Sequence, residues 1–193
     1  MKKPLSFVEI SSSNLIHNYK YLSKKSGLPI APVLKSNAYG HGLIEVARVL
    51  EKQKPPFFCL DSFYEANLLN KAGLKTPILI MGYVDPSDLT EKNLPFSYAV
   101  WSSEQIKEIS AKDPKAKFHI FVDTGMHREG VRMDDLASFL SEIKAYSGKI
   151  EGLMSHFGSA GDKNIVPQKN KLRILAEHRS YLPKRELNQN GFT

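Results

Sequence analysis

The chain has 193 residues, 41% of them hydrophobic and 24% charged, a composition typical of a globular protein with one sizeable core. Its formal charge of +7 forms no basic stripe interleaved with aromatic residues, which argues against nucleic-acid binding and favours an anionic small molecule as ligand. The single cysteine, Cys59, excludes an internal disulfide, and without a signal-peptide pattern or a long apolar run we expect a cytoplasmic protein outside the membrane.

The first half of the chain alternates short apolar runs with amphipathic patterns. These runs predict strands at residues 7–10, 30–34, 57–60 and 77–81. The amphipathic patterns predict helices from about residue 11 to 24, 43 to 51 and 63 to 71. Asp61-Ser62 supplies the cap of the third helix, and Pro55-Pro56 ends the second.

The second half continues the alternation. Its strands are predicted at residues 97–100, 118–122 and 149–154. Its helices are predicted at about 85–92, which is weak, and at about 102–111, 133–146 and 166–182. Short apolar strands alternating with helices indicate parallel βαβ units. The repeated period makes an α/β fold of the (β/α) TIM-type barrel the leading candidate.

Lys35 stands at the end of the apolar run 30–34, where a charged amine is costly to desolvate. A lysine placed there has either a carboxylate partner or a chemical use for its amine, and Schiff-base formation is one such use. Gly40 and Gly42 permit tight backbone geometry after it, and a helix starting near Leu43 offers N–H groups to an anion such as phosphate. On this local pattern alone, a lysine that simply reaches into solvent is the commoner outcome.

Chemistry in a parallel barrel gathers where the strands end and the βα loops begin. Lys35, the loop at residues 123–128 and His156 all follow predicted strands. Taken singly, Arg128 is also compatible with a surface loop and His156 with a core histidine. Asp123 is expected to organise its loop, and His127 receives no role.

The segment at residues 33–42, VLKSNAYGHG, closely resembles the pyridoxal-phosphate attachment motif of bacterial alanine racemases. Three further segments match that family in order and approximate spacing: FVEI followed by LIHN at residues 7–18, DTGMHREG at 123–130, and GLMSHF at 152–157. Four matches in register are far more specific than one. The resemblance runs from about residue 5 to about residue 160.

This resemblance implies a fold type III barrel with pyridoxal 5'-phosphate as cofactor and no metal. It implies the interconversion of L- and D-alanine, which supplies D-alanine for peptidoglycan. Lys35 would form the Schiff base and then act as general base, and Tyr39 would contact the cofactor phosphate. Arg128 would touch the cofactor's phenolic oxygen and the substrate carboxylate, and His156 would lie beneath the pyridine ring.

By the same resemblance, residues 1–10 are a strand that packs with a separate C-terminal β domain, and residues 11–193 are a partial barrel with about six of eight strands. In the family that β domain supplies a tyrosine from the partner subunit of a homodimer as the second proton-transfer group. Because this chain stops before such a domain, we expect a truncated form that is inactive alone. Phe121 stands where family members often place a carbamylated lysine paired with the arginine.

Other interpretations stay open at this point. A non-catalytic pyridoxal-phosphate-binding protein of the same fold type would hold the cofactor on Lys35 without turnover, although its motifs fit less well. An incomplete barrel that acts through an exposed edge would need no cofactor. Within the racemase interpretation, serine or another amino acid is an alternative substrate.

Overall fold

The computed structural model describes residues 6–90 and 93–158, which divide into two compact units at the boundary between Gly82 and Tyr83. The helices are α1 Ser12–Ser26, α2 Lys35–Tyr39, α3 Leu43–Glu51, α4 Phe63–Lys71, α5 Ser103–Lys112 and α6 Leu136–Glu142. Short 3-10 helices span Pro86–Asp88, Met133–Asp135 and Lys144–Lys149. The strands are β1 Phe58–Leu60, β2 Ile78–Ile80, β3 Phe96–Val100, β4 Lys117–Asp123, β5 Val131–Arg132 and β6 Ile150–Met154.

The first unit is built on β1 and β2, which pair in parallel and are buried along their whole length. Continuous apolar strands of this kind are typical of parallel sheets covered on both faces. Helix α3 contributes its apolar side to the core, and α4 begins where the Ser62 hydroxyl accepts a hydrogen bond from the Glu65 N–H. Both helices have the predicted bounds, although Ser62 alone, without Asp61, supplies the cap.

The predicted strand at residues 30–34 is reduced to a single parallel bridge between Val33 and Cys59. Leu34 N–H donates to Cys59 O at 2.8 Å, and Cys59 N–H donates to Pro32 O at 2.9 Å. Pro29 and Pro32 have no N–H group to donate, which keeps this ladder short. The segment is nevertheless aligned with β1, so Lys35 follows the end of an extended segment as the sequence predicted.

The second unit has β4 at its centre, paired in parallel with β3, β5 and β6. Helix α5 starts with a capping box, in which the Ser102 hydroxyl accepts from Gln105 N–H and the Gln105 side chain accepts from Ser102 N–H. The predicted helix at residues 133–146 is instead one α-helix between two 3-10 helices. The Ser147-Gly148 pair has low helix propensity, which disfavours a longer α-helix there.

Two further differences concern strands. Residues 7–10, predicted as a strand, have no regular secondary structure, because a strand forms only where a ladder partner is present and no described residue pairs with them. The two-residue strand β5 was not predicted, since so short an element carries no periodicity. The predicted helix at 166–182 lies outside the described residues.

Each unit combines helices with strands, and the strand pairs β1–β2, β3–β4, β4–β5 and β4–β6 are all parallel. This confirms the predicted α/β class. No helix in the described ranges combines the length and the apolar character that crossing a membrane requires.

Candidate active site

The backbone changes handedness directly after Lys35. Four consecutive residues that carry side chains have φ between 52° and 57°: Ser36, Asn37, Ala38 and Tyr39. Helix α2 is therefore a left-handed turn, which Gly40 ends at φ 84°, and we call residues 35–42 the lysine turn. Left-handed geometry costs about 1–2 kcal/mol for each residue other than glycine. Strain of this size persists only where surrounding contacts hold it, and it is concentrated at functional sites.

Asn37 makes several of the contacts that hold the lysine turn. Its N–H donates to Glu65 Oε1 on α4 at 2.9 Å, and its side-chain Oδ1 accepts from the Leu43 N–H of α3 at 2.8 Å. Its carbonyl accepts from Gly42 N–H at 3.0 Å. The turn is thereby tied to the two helices that follow it in the chain.

The amine of Lys35 has a carboxylate partner, which was one of the two alternatives predicted for it. Nζ lies 3.4 Å from Asp61 Oδ1, and the two side chains are 35% and 55% exposed. Asp61 directly follows β1, the strand that runs beside the segment leading to Lys35. The amine is accessible from solvent, and the Tyr39 side chain at the other end of the turn is exposed as well.

Residues 123–130, here called the aspartate loop, follow β4. Asp123 Oδ1 accepts from the N–H groups of Gly125, Met126 and His127 at 2.8, 2.9 and 3.1 Å. Burial alone would raise the pKa of Asp123, but these N–H groups and the nearby His127 ring outweigh it and hold the pKa below its usual value. Asp123 therefore stays ionised and organises its loop, as predicted.

The ends of the aspartate loop are fixed by close packing and by one hydroxyl pair. A Cβ added at Gly130, where φ is 112°, would lie 2.6 Å from Asp123 N, so no side chain fits there. Thr124 Oγ1 and Ser155 Oγ form a hydrogen bond of 2.7 Å between the loop and the end of β6. His156 comes next in the chain and is exposed. The structure thus joins the two segments that carry Arg128 and His156.

Arg128 is half-exposed, and its Nη2 lies 3.6 Å from Glu129 Oε2. Phe121 is buried and packs edge-on against Trp101 with 6.3 Å between ring centroids. Glu129, the next residue in the chain, is a carboxylate partner of Arg128.

The second unit contains a largely buried polar cluster centred on Glu151 of β6, with partners on β3 and β4. Glu151 accepts from Ser97 Oγ at 2.6 Å and forms an ion pair with Lys117 Nζ at 2.9 Å, while His119 Nε2 lies 3.7 Å away. Burial would raise the pKa of Glu151, but the hydrogen bonds from His119, Ser97 and Lys117 hold it well below its usual range. This cluster was not predicted from the sequence.

Cys59 is buried in β1, and desolvation raises the pKa of its thiol to about 11. A thiol in this environment is a poor nucleophile. Within the described residues, no three His, Cys, Asp or Glu side chains are grouped so that they could hold a metal ion.

The four predicted site residues fall into both units, Lys35 and Tyr39 in the first and Arg128 and His156 in the second. The contacts that Asp61 and Glu65 make with the lysine turn were not predicted from the sequence. The position of Asp61 directly after a strand was a usable signal. No local pattern pointed to Glu65, because its contact spans 28 residues.

Residues 10–190 match the family model described as alanine racemase, N-terminal domain. Alanine racemase 2 of Caldanaerobacter subterraneus subsp. tengcongensis is 31% identical over 192 residues, which cover 94% of this chain and 49% of that protein. An amino-acid racemase of Enterococcus faecalis is 38% identical over 156 residues, which cover 79% of this chain and 22% of that protein. The chain spans about half, or less, of the length of these relatives.

Two solved structures show the same fold. The alanine racemase of Clostridium difficile 630 in complex with cycloserine superimposes with a TM-score of 0.76 at 26% identity, covering 88% of this chain and 49% of that one. A histidine racemase of Leuconostoc mesenteroides also gives a TM-score of 0.76 at 26% identity, covering 91% of this chain and 50% of that one. These likenesses confirm the predicted barrel fold.

Proposed function

We propose that this chain, which belongs to the alanine racemase family, is the pyridoxal-phosphate-binding part of a racemase that interconverts L- and D-alanine. The observation that carries the proposal is the accessible amine of Lys35, placed after a segment aligned with β1 and followed by a strained left-handed turn. Strain held by specific contacts beside a reactive group is expected at a functional site.

The groups that these residues present fit pyridoxal phosphate. A primary amine such as that of Lys35 can bond to the cofactor's aldehyde, and the exposed Tyr39 hydroxyl can donate to a phosphate oxygen. The half-exposed guanidinium of Arg128 suits a carboxylate or phenolate, and the exposed imidazole of His156 can lie against a ring. When bound, the cofactor supplies an electron sink for the substrate's α-carbon.

Lys35 acts in this proposal as the proton carrier on one face of the α-carbon. Its neutral Nζ takes the α-proton, and the resulting ammonium returns a proton to the same face or exchanges it with solvent. Asp61 Oδ1 lies 3.4 Å from this Nζ and can accept a hydrogen bond from it. Arg128 fixes the substrate carboxylate, which orients the α-carbon toward the amine.

Racemisation also needs a second proton-transfer group on the opposite face. In the proposed enzyme this group belongs to the partner subunit of a homodimer. The reaction takes place in the cytoplasm and provides D-alanine for peptidoglycan.

Two alternatives are supported by particular relatives or motifs. An amino-acid racemase and a histidine racemase are among the similar proteins, which makes histidine a substrate to compare with alanine, beside the serine named as an alternative from the sequence. A protein that holds the cofactor without turnover is the second candidate, because the Lys35 motif alone would suffice for it.

The test begins with the 193-residue chain and pyridoxal phosphate. We expect borohydride to fix the cofactor on Lys35, located by peptide mass mapping, and we expect Lys35→Ala to lose this label. Lys112→Ala, an exposed lysine at the end of α5, serves as the matched control and keeps the label. Labelling spread over several lysines would contradict the proposal. Chiral analysis of alanine, serine and histidine after incubation then separates a racemase from a binding protein.

A further inference from the structure

We infer that Glu65 is a positioning residue, whose carboxylate on α4 holds the lysine turn in its left-handed form and thereby places the Lys35 amine. The inference rests on the proposed function of Lys35 as the residue that bonds to pyridoxal phosphate. Glu65 itself touches neither cofactor nor substrate in this account, because its partner is the backbone of the turn.

Glu65 is well placed to act as a fixed support. It lies in the first turn of α4, and its own N–H donates to the capping hydroxyl of Ser62 at 3.2 Å. The helix is anchored to the core through the buried side chains of Phe63, Ala66 and Leu69. A carboxylate on such a helix accepts a hydrogen bond from the Asn37 N–H while the helix itself stays in place. Hydrogen bonds to an ionised acceptor are stronger than those to a neutral one.

Asn37 is the residue through which this support reaches the turn. It has φ 57° and lies between Ser36 and Ala38, which have the same handedness. Asparagine tolerates this region better than most residues, but serine and alanine do not. Because the flanking residues have no intrinsic preference for the turn, hydrogen bonds must stabilise it, and those within the segment include Gly40 N–H to Ser36 O at 3.0 Å. The Glu65 carboxylate supplies such a bond from outside the turn.

Lys35 is the first residue of this turn, so the path of the backbone after it determines where its side chain starts. A turn that fluctuated between conformations would spread the amine over many positions. A fixed turn limits that spread, and the ion pair with Asp61 limits it further at the tip. Loss of the Glu65 contact should therefore slow formation of the Lys35–cofactor bond without removing the reactive amine.

The test compares Glu65→Ala, Glu65→Gln and Glu51→Ala in the 193-residue chain. Glutamine keeps an oxygen that can accept the Asn37 N–H, so it should rescue the contact. Glu51 is a matched control, because its carboxylate also bridges a helix to the backbone N–H groups of Lys75 and Thr76 in the same unit, away from the lysine turn. Two quantities are measured: deuterium exchange of the peptide at residues 36–43, and the rate at which pyridoxal phosphate labels Lys35.

For Glu65→Ala we expect exchange at residues 36–43 to become roughly ten-fold faster and labelling of Lys35 about five-fold slower, as expected for loss of a bond to a charged acceptor. Glu65→Gln should stay within about three-fold of wild type in both quantities, and Glu51→Ala within about two-fold. The inference is overturned if Glu65→Ala leaves either quantity at its wild-type value, or if Glu51→Ala slows labelling equally. If the wild-type chain shows no Lys35-specific label, the proposed function fails and the positioning role fails with it, while the exchange data still decide whether Glu65 holds the turn.

Discussion

The lysine turn and the aspartate loop both follow the end of an extended segment, and they differ in what holds them. The lysine turn combines hydrogen bonds of its own backbone with one from Glu65, which is distant in the sequence and lies on another helix. The aspartate loop is held mainly by its first residue, Asp123, which accepts the N–H groups of three residues that follow, and the Thr124–Ser155 hydroxyl pair adds a bond to the end of β6. We therefore expect the aspartate loop to depend less on other elements for its conformation, and the lysine turn to depend more on the hydrogen bond from α4.

The difference also bears on chemistry. In the proposed function the Lys35 amine bonds to the cofactor, so the contacts that fix the lysine turn would determine where that amine lies. Arg128 would bind the substrate carboxylate, so an ordered aspartate loop would keep the guanidinium in place. The glycines of the two segments reflect this contrast. Gly130 has no room for a methyl group, while a Cβ added at Gly40 would meet nothing within 4 Å.

The largest effect is expected from Gly130→Ala. Its φ of 112° is unfavourable for alanine, and the added methyl group would lie 2.6 Å from Asp123 N and 2.8 Å from Phe121 Cδ1. We expect a loss of roughly 3 kcal/mol in the free energy of unfolding, measured by urea denaturation. Gly40→Ala is the matched change in the lysine turn and should cost only about 1 kcal/mol, because the backbone strain acts there alone.

Equal losses in the free energy of unfolding for the two glycine variants would contradict this difference. They would mean that the aspartate loop adjusts to an added methyl group as easily as the lysine turn does. A loss larger in Gly40→Ala than in Gly130→Ala would reverse it.

The next effect is that of Asp123→Ala, which leaves three N–H groups without their acceptor. We expect a loss of about 2 kcal/mol in the free energy of unfolding near neutral pH, and about half of that for Asp123→Asn, which keeps one oxygen acceptor. Because the pKa of Asp123 is lowered in the folded chain, its charge stabilises the fold above the unfolded pKa of roughly 4, and this contribution disappears as the pH falls through the lowered value.

Urea denaturation of wild type and Asp123→Asn across the acid range checks the sign. The difference in free energy of unfolding should be full above the ordinary aspartate pKa and should vanish in stronger acid. A difference that grew as the pH fell would show that the ionised carboxylate does not stabilise the loop.

The sequence predicted the elements that are determined locally. Helix α4 was predicted with its bounds because Ser62 caps it and its apolar residues repeat with helical spacing. The strand ends that carry Lys35 and His156 were also predicted, since apolar runs stop there. The segment at residues 30–34 fell short of a strand because two prolines limit its ladder.

The left-handed turn could not be predicted from local sequence patterns. Gly40 and Gly42 indicated a tight turn, but positive φ at Ser36 and Ala38 runs against the preference of those residues. A contact that reaches the turn from outside comes from the Glu65 carboxylate, and a contact over 28 residues leaves no periodicity to detect. Long-range selection of a locally unfavourable backbone is the part of the site that composition and spacing could not show.

The smallest effect is expected at the Lys35 amine, where Asp61 is its partner. The ion pair between Lys35 and Asp61 is partly exposed, so its contribution is modest and screened by salt. The hydrogen bond from Lys35 Nζ to Asp61 Oδ1 has to break before the amine can attack an aldehyde. We therefore expect Asp61→Asn to raise the rate at which pyridoxal phosphate labels Lys35 at neutral pH by about two- to five-fold. Added salt should speed the wild type and leave the variant nearly unchanged. A slower rate in Asp61→Asn would mean that Asp61 mainly orients the amine. Asp61 would then be a second residue, after Glu65, that positions the lysine turn from outside it.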